Sequence, residues 1–176
     1  MVRIIHITAV VALVLAVAAG PSHGAEQEKG TPQDVFEMVL QGVYVIEQLG
    51  DEGLAAFNDP QGEFVFKDTY VYVVNCEKGI VAAHPMDQIR GLTADKIQCY
   101  KTGAHFMIDA CKEVGADGTW FEYWWPKLNQ AGEKSIHRKV GFAVPVKGTP
   151  YQVGSGVYNE DMSLQQLERE SRTWKR

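Results

Sequence analysis

The chain has 176 residues, 22 of them acidic and 17 basic, for a formal charge of −5 at neutral pH. Such a surface repels nucleic acid, and no run of Lys or Arg reverses the balance, so nucleic-acid partners are excluded. The cysteines Cys76, Cys99 and Cys111 and the histidines form no CxxC, CxxCH or HExxH pattern, so no metal and no other cofactor is expected.

Residues 1–24 read as an export signal. Arg3 supplies a positive start, Ile4 to Ala19 is an apolar run broken only by His6 and Thr8, and Ser22-His23-Gly24 places small residues around a cleavage site. A run of about 16 residues falls short of the roughly 20 that span a bilayer, and Gly20, Pro21 and Gly24 follow it at once. Cleavage before Ala25 is therefore expected, with an uncleaved inner-membrane anchor as the alternative; both put the domain outside the cytoplasm, periplasmic or secreted. An odd cysteine count in an exported chain permits at most one internal disulfide. Cys99 and Cys111 are near in sequence, but spacing does not give the Cα separation a bridge needs, and the pairing stays open.

Past the leader, Thr31-Pro32-Gln33-Asp34 is a helix start, with Thr31 as cap, Pro32 at the first position and Asp34 against the dipole. Val35, Met38, Val39, Val43, Ile46 and Leu49 then recur at three and four residues, which predicts an amphipathic helix of about 18 residues stopped by Gly50. A short helical piece over Glu52 to Phe57 precedes the Asn58-Asp59-Pro60 turn. The period then changes to that of strands. Thr69 to Asn75 and Ile80 to His84 form a hairpin about Glu77-Lys78-Gly79. Pro85 to Lys101 reads as a crossing loop with a short helix near Ala94 to Ile97, and Ala104 to Val114 as a second helix closed by Gly115. Strands are predicted over Gly118 to Trp125, Ile136 to Val146 and Tyr151 to Tyr158, with a charged surface helix from Ser163 to the end. This order gives a mixed α+β architecture with antiparallel neighbours, not a doubly wound parallel sheet.

Three segments carry a family resemblance. Gly79-Ile80-Val81-Ala82-Ala83-His84-Pro85, with Gly91 after it, ends a hairpin strand on His-Pro. Gly118-Thr119-Trp120-Phe121-Glu122-Tyr123-Trp124-Trp125-Pro126 has Gly, then Tyr-x-Trp, then Pro. Lys139 opens a strand, and Val153-Gly154-Ser155-Gly156-Val157-Tyr158 with Glu160-Asp161 follows. In this order they resemble the single Cache domains of bacterial extracytoplasmic sensors. The resemblance implies a PAS-like, five-stranded antiparallel sheet with a long N-terminal helix and a second helix packed on it. Together with the export signal, this divides the chain into residues 1–24 (signal), 25–67 (helical region), 68–161 (sheet and pocket) and 162–176 (terminal helix). It also implies a small-molecule ligand, a short carboxylate or similar metabolite, held without catalysis, and a membrane signalling or transport partner. Phe142 stands where the family often has an aromatic hydroxyl, and Tyr151 where it has a Trp-rich hairpin.

The residue chemistry is consistent with such a pocket. A buried small anion requires a cation, neutral donors and aromatic walls that exclude water, and Lys139, Tyr123, Trp125, His84 and Tyr72 are the candidate ligand-binding set. Tyr123 and Trp125 share one strand face, as do Lys139, Gly141 and Ala143, the small pair leaving space beside the cation. Each also has a plain structural reading: Lys139 as a solvated edge charge, the aromatics as core, His84 as a strand-end residue, Tyr72 facing either way, and the further candidate Arg90 as a loop charge. Two other functions remain open at this point: an adaptor using Trp120 to Trp125 as an exposed contact patch, or a hydrolase-type enzyme pairing a cysteine with a histidine.

Overall fold

The computed structural model of the chain describes residues 28–128, 134–159 and 161–174; the export-signal segment lies outside them. Helix α1 spans Pro32–Leu49 and begins as the sequence dictates. The Thr31 hydroxyl accepts from the Asp34 N–H, and the Asp34 carboxylate accepts from the Thr31 N–H, closing a capping box with Pro32 behind it. Val35, Phe36, Val39 and Ile46 form its buried stripe, whereas Leu49, expected on that face, is 55% exposed. A 3₁₀ helix, Gly50–Phe57, follows.

The strands are β1 (Val65–Phe66), β2 (Thr69–Asn75), β3 (Ile80–Ala83), β4 (Thr119–Leu128), β5 (Lys134–Pro145) and β6 (Tyr151–Tyr158). They form one antiparallel sheet of order β1-β2-β6-β5-β4, with β3 pairing with β2 beside the short β1. The five expected strands are all present, and β1 is an addition too short to leave a periodic signal. The strand expected over Gly118 to Trp125 begins at Thr119 and runs through Pro126 to Leu128. Among the described residues β4 is the sheet edge and pairs with β5 alone, and a proline without an N–H is tolerated there.

Side chains alternate between two faces of the sheet. Val71 and Val73 of β2, Val140, Phe142 and Val144 of β5, Val153 and Val157 of β6 and Trp120 of β4 pack against α1 in the main core. Burying each of the larger of these contributes about 1.5–3 kcal/mol. The helix lies so close that a Cβ on Gly42 would come within 2.9 Å of Val153 and 3.0 Å of Phe57, so only glycine fits. The opposite face is covered by the crossing segment, with a 3₁₀ turn at Ala94–Lys96, and by α2 (Phe106–Glu113), shorter at both ends than expected. A Cys76–Cys111 disulfide ties α2 to the end of β2 and leaves Cys99 free and buried.

The terminal helix corrects the expectation of a surface element. In α3 (Leu164–Ser171) Leu167 is fully buried, and Trp174 beyond it meets Phe36 edge-on at 5.3 Å and Trp120 at 6.1 Å. Its charged composition hid Leu164, Leu167 and Trp174, which pack it against the core.

Candidate functional site

The face away from α1 carries the chemistry. The register sets Lys139 of β5 directly between Tyr123 of β4 and Tyr158 of β6, and on β2 the side chains of Tyr70 and Tyr72 point to the same side. Phe106 of α2 closes over Tyr123, stacked at 4.1 Å, and Trp125 meets Tyr123 at 6.2 Å. Lys139 is 1% exposed. Its Nζ lies 4.5 Å from the Tyr70 ring centroid and 5.1 Å from that of Tyr158, and it has no hydrogen-bond or ion-pair partner among the described residues. His84 is also buried. Its N–H donates to Asn58 Oδ1 at 3.1 Å, its Nδ1 accepts from the Met86 N–H at 2.9 Å, and its ring meets Tyr70 at 4.7 Å.

Burial dominates the electrostatics. It pushes the Lys139 ammonium down to about 7, helped by the like charge of Lys127 and opposed by Asp68. It pushes His84 down to about 3, with Lys139 and Arg90 adding to the effect. The buried phenols move the other way: Tyr70 rises to about 12, and Tyr72, Tyr123 and Tyr158 rise as well. Burial also works to raise the Asp68 carboxyl, but the bonds it accepts from Lys127 Nζ at 2.7 Å and from the Gly30 N–H at 2.8 Å hold it below its usual value. At neutral pH this wall therefore holds neutral aromatics, a neutral histidine and one poised ammonium.

A cleft of about 400 Å³ opens against these rings, lined by Tyr70, Trp125 and Tyr158 inside, Met86, Ile89 and Tyr100 from the crossing segment, and Asp68 and Lys127 at one end. Tyr70 and Tyr158 stand between the cleft and Lys139, whose own atoms do not line it. A second cleft of about 530 Å³ continues from it, sharing Ile89, Tyr100 and Trp125 and running along Leu92, Ile97 and Cys99.

Of the candidate residues, Lys139, Tyr123, His84 and Tyr72 converge on one buried face, and Trp125 lies in the cleft wall. The reading of Lys139 as a solvated edge charge is excluded by its burial. The space expected beside the cation at Gly141 is occupied: a Cβ there would meet the Phe121 ring at 2.9 Å, and one on Gly154 would meet the Tyr72 ring at 2.8 Å. The glycines seat rings, and the open volume lies farther along, beyond Tyr70 and Tyr158. Arg90 does not reach it, since its guanidinium pairs with Asp87. The adaptor alternative finds no exposed aromatic patch at Trp120 to Trp125, because Trp120 and Tyr123 are buried and Phe121, Trp124 and Trp125 are partly covered. Tyr70, Asp68 and Lys127 were missed. Tyr70 follows from Tyr72 by the two-residue period, whereas Asp68 and Lys127 join only through a contact 59 residues apart in sequence.

A family model of the Cache domain matches residues 61–172, well over half of the chain. This chain belongs to the Cache domain family. None of the curated proteins compared with it matches in sequence. Among solved structures, one described as showing carboxylic acid recognition by a Cache chemosensory domain superposes with a TM-score of 0.56 at 17% identity, covering 73% of this chain and 92% of its own. A methyl-accepting chemotaxis protein from Vibrio parahaemolyticus superposes with a TM-score of 0.54 at 17% identity, covering 74% and 90%. At that identity the likeness concerns the fold, and it agrees with the helix-and-antiparallel-sheet architecture described above. Among the described residues, no helix of this Cache domain is long and apolar enough to cross a membrane, and no group of three or more His, Cys, Asp or Glu side chains could hold a metal ion.

Proposed function

We propose that this Cache domain is an extracytoplasmic ligand-binding module that holds a small organic carboxylate at the Tyr70–Tyr158–Trp125 cleft, with Lys139 as counter-charge and Tyr123, Tyr72 and His84 as its neutral support. The observation that carries the reading is Lys139. Burying an ammonium costs several kcal/mol even after relaxation, and two ring faces return about 0.5–2 kcal/mol each. The nearest acid acting on it, Asp68, is already neutralised by Lys127. A lysine kept in that position is unfavourable for the empty protein and favourable once an anion arrives. The carboxylate reaches it as the Tyr70 or Tyr158 ring turns aside. A Cache structure whose description concerns carboxylic acid recognition supports the same choice of ligand class. The Cys76–Cys111 bridge suits an oxidising compartment, in keeping with export through residues 1–24 and with delivery of the bound state to a membrane signalling or transport partner.

A thermal-shift screen of the domain against short carboxylates, amino acids, amines and sugars tests this. An acid at a hundred times its dissociation constant should stabilise by about 2.7 kcal/mol. Stabilisation by amines or sugars with none by acids contradicts the reading.

A further inference from the structure

We infer that the ligand is a monocarboxylate with a flat apolar body of roughly ten non-hydrogen atoms, aryl or branched, that lies from Tyr70 and Tyr158 across Trp125 onto Tyr100 and Ile89. This rests on the carboxylate reading above and adds the rest of the molecule. Volume is the first argument. At roughly 30 Å³ per liquid-packed atom, the volume share of a water molecule, a cleft of about 400 Å³ is far larger than the five non-hydrogen atoms of propionate. Small ligands that bind well fill most of their pocket and bury most of their surface.

The walls are the second argument. Of the three lysines that line the cleft, Lys67 is bonded to Asp34 at 2.7 Å and Lys127 to Asp68 at 2.7 Å, and Lys134 is exposed to water. A second carboxylate would find two of these ammoniums already paired and the third solvated, where an ion pair contributes little. Among the described residues, two of the five exposed large apolar side chains, Met86 at 37% and Tyr100 at 60%, flank this same cleft. An apolar body laid between them would remove that surface from water, which is the favourable direction. Tyr100 and Trp125 meet edge-on at 5.6 Å, a corner into which a ring can stack on one face and abut the other. The adjoining cleft shares both of them with Ile89, so a longer body has somewhere to continue.

Calorimetry with propionate, succinate, phenylacetate and the neutral phenylacetamide on wild type, Tyr100→Ala and Lys139→Met tests the inference. Tyr100 is mostly exposed, so its truncation leaves the core alone. Phenylacetate should bind at least tenfold tighter than propionate or succinate. Tyr100→Ala should weaken phenylacetate about fivefold and change propionate less than twofold. Propionate or succinate binding as tightly as phenylacetate, or Tyr100→Ala affecting all acids equally, overturns the apolar body while leaving an anion at Lys139 intact. Phenylacetamide matching phenylacetate, with Lys139→Met without effect, overturns the carboxylate and with it the reading beneath. Binding of none of the four overturns both.

Discussion

Lys139 and His84 lie buried on the same side of the sheet, and burial pushes each toward its neutral form. For His84 the folded value of about 3 sits below the ordinary 6.5. Between those values the unfolded chain binds a proton that the folded one refuses, so stability falls as pH drops from 6.5 toward 3. Acid unfolding of wild type and His84→Asn, which keeps an acceptor for the Met86 N–H, should show a steeper loss in wild type, up to several kcal/mol. Equal slopes would place His84 in water. Lys139 gives the same sign in a higher window: with a folded value of about 7 against 10.5, stability rises with pH between the two. The groups that bear on it are Asp68, Lys127, Tyr70, Tyr158 and His84. Lys139→Met should remove this slope and leave the empty protein more stable near pH 6 than wild type, since a buried charge is replaced by a chain of similar length. A destabilised variant with the slope intact would contradict the burial of the ammonium.

At the scale of elements, what the sequence revealed and what it concealed divide along the range of the interaction. The start of α1 rests on Thr31, Pro32 and Asp34, all within one turn, and its boundaries match the expected ones. The hairpin of β2 and β3 rests on a turn at Glu77 to Gly79 and is equally local. The extension of β4 through Pro126 depends on which strand ends up at the edge, and the docking of α3 depends on Phe36 and Trp120, both far away in sequence. The cysteine pairing is of the second kind, since Cys76 and Cys111 are 35 residues apart. In the chain-entropy account a loop of that length contributes about 4 kcal/mol by constraining the unfolded state. The Cys76→Ser, Cys111→Ser double variant should lose stability of that order in urea, and hydrogen exchange should speed up first in residues 85–115, which wall the cleft. Unchanged exchange there would mean that the bridge does not hold the cover in place.

Over the whole molecule, the sheet has one face given to α1 and the other to a cover that leaves room along part of its length. The family and the sheet were legible because the strand motifs at Gly79 to Pro85, Gly118 to Pro126 and Val153 to Tyr158 each lie within one element. The face on which Lys139, Tyr123 and Tyr72 meet was legible in part, by alternation along each strand. The partners across strands were not, because the placing of Tyr158 opposite Lys139 and of Tyr72 against Gly154 is set by register. For the same reason the vacancy expected beside Gly141 is filled by rings, and the cleft opens beyond them. The account turns on the ammonium behind that cleft. An anion bound against it raises its affinity for a proton, so the complex takes up a proton when it forms above pH 7, and binding weakens as pH rises. The decisive measurement is calorimetric titration of wild type and Lys139→Met, at pH 6.5 and 8.5, with the tightest-binding acid from the screen. The account predicts a wild-type dissociation constant about tenfold weaker at pH 8.5, and a loss on Lys139→Met at pH 6.5 of roughly 30-fold to several thousand-fold, the equivalent of about 2–5 kcal/mol. Equal affinities for the two proteins at pH 6.5 would contradict it.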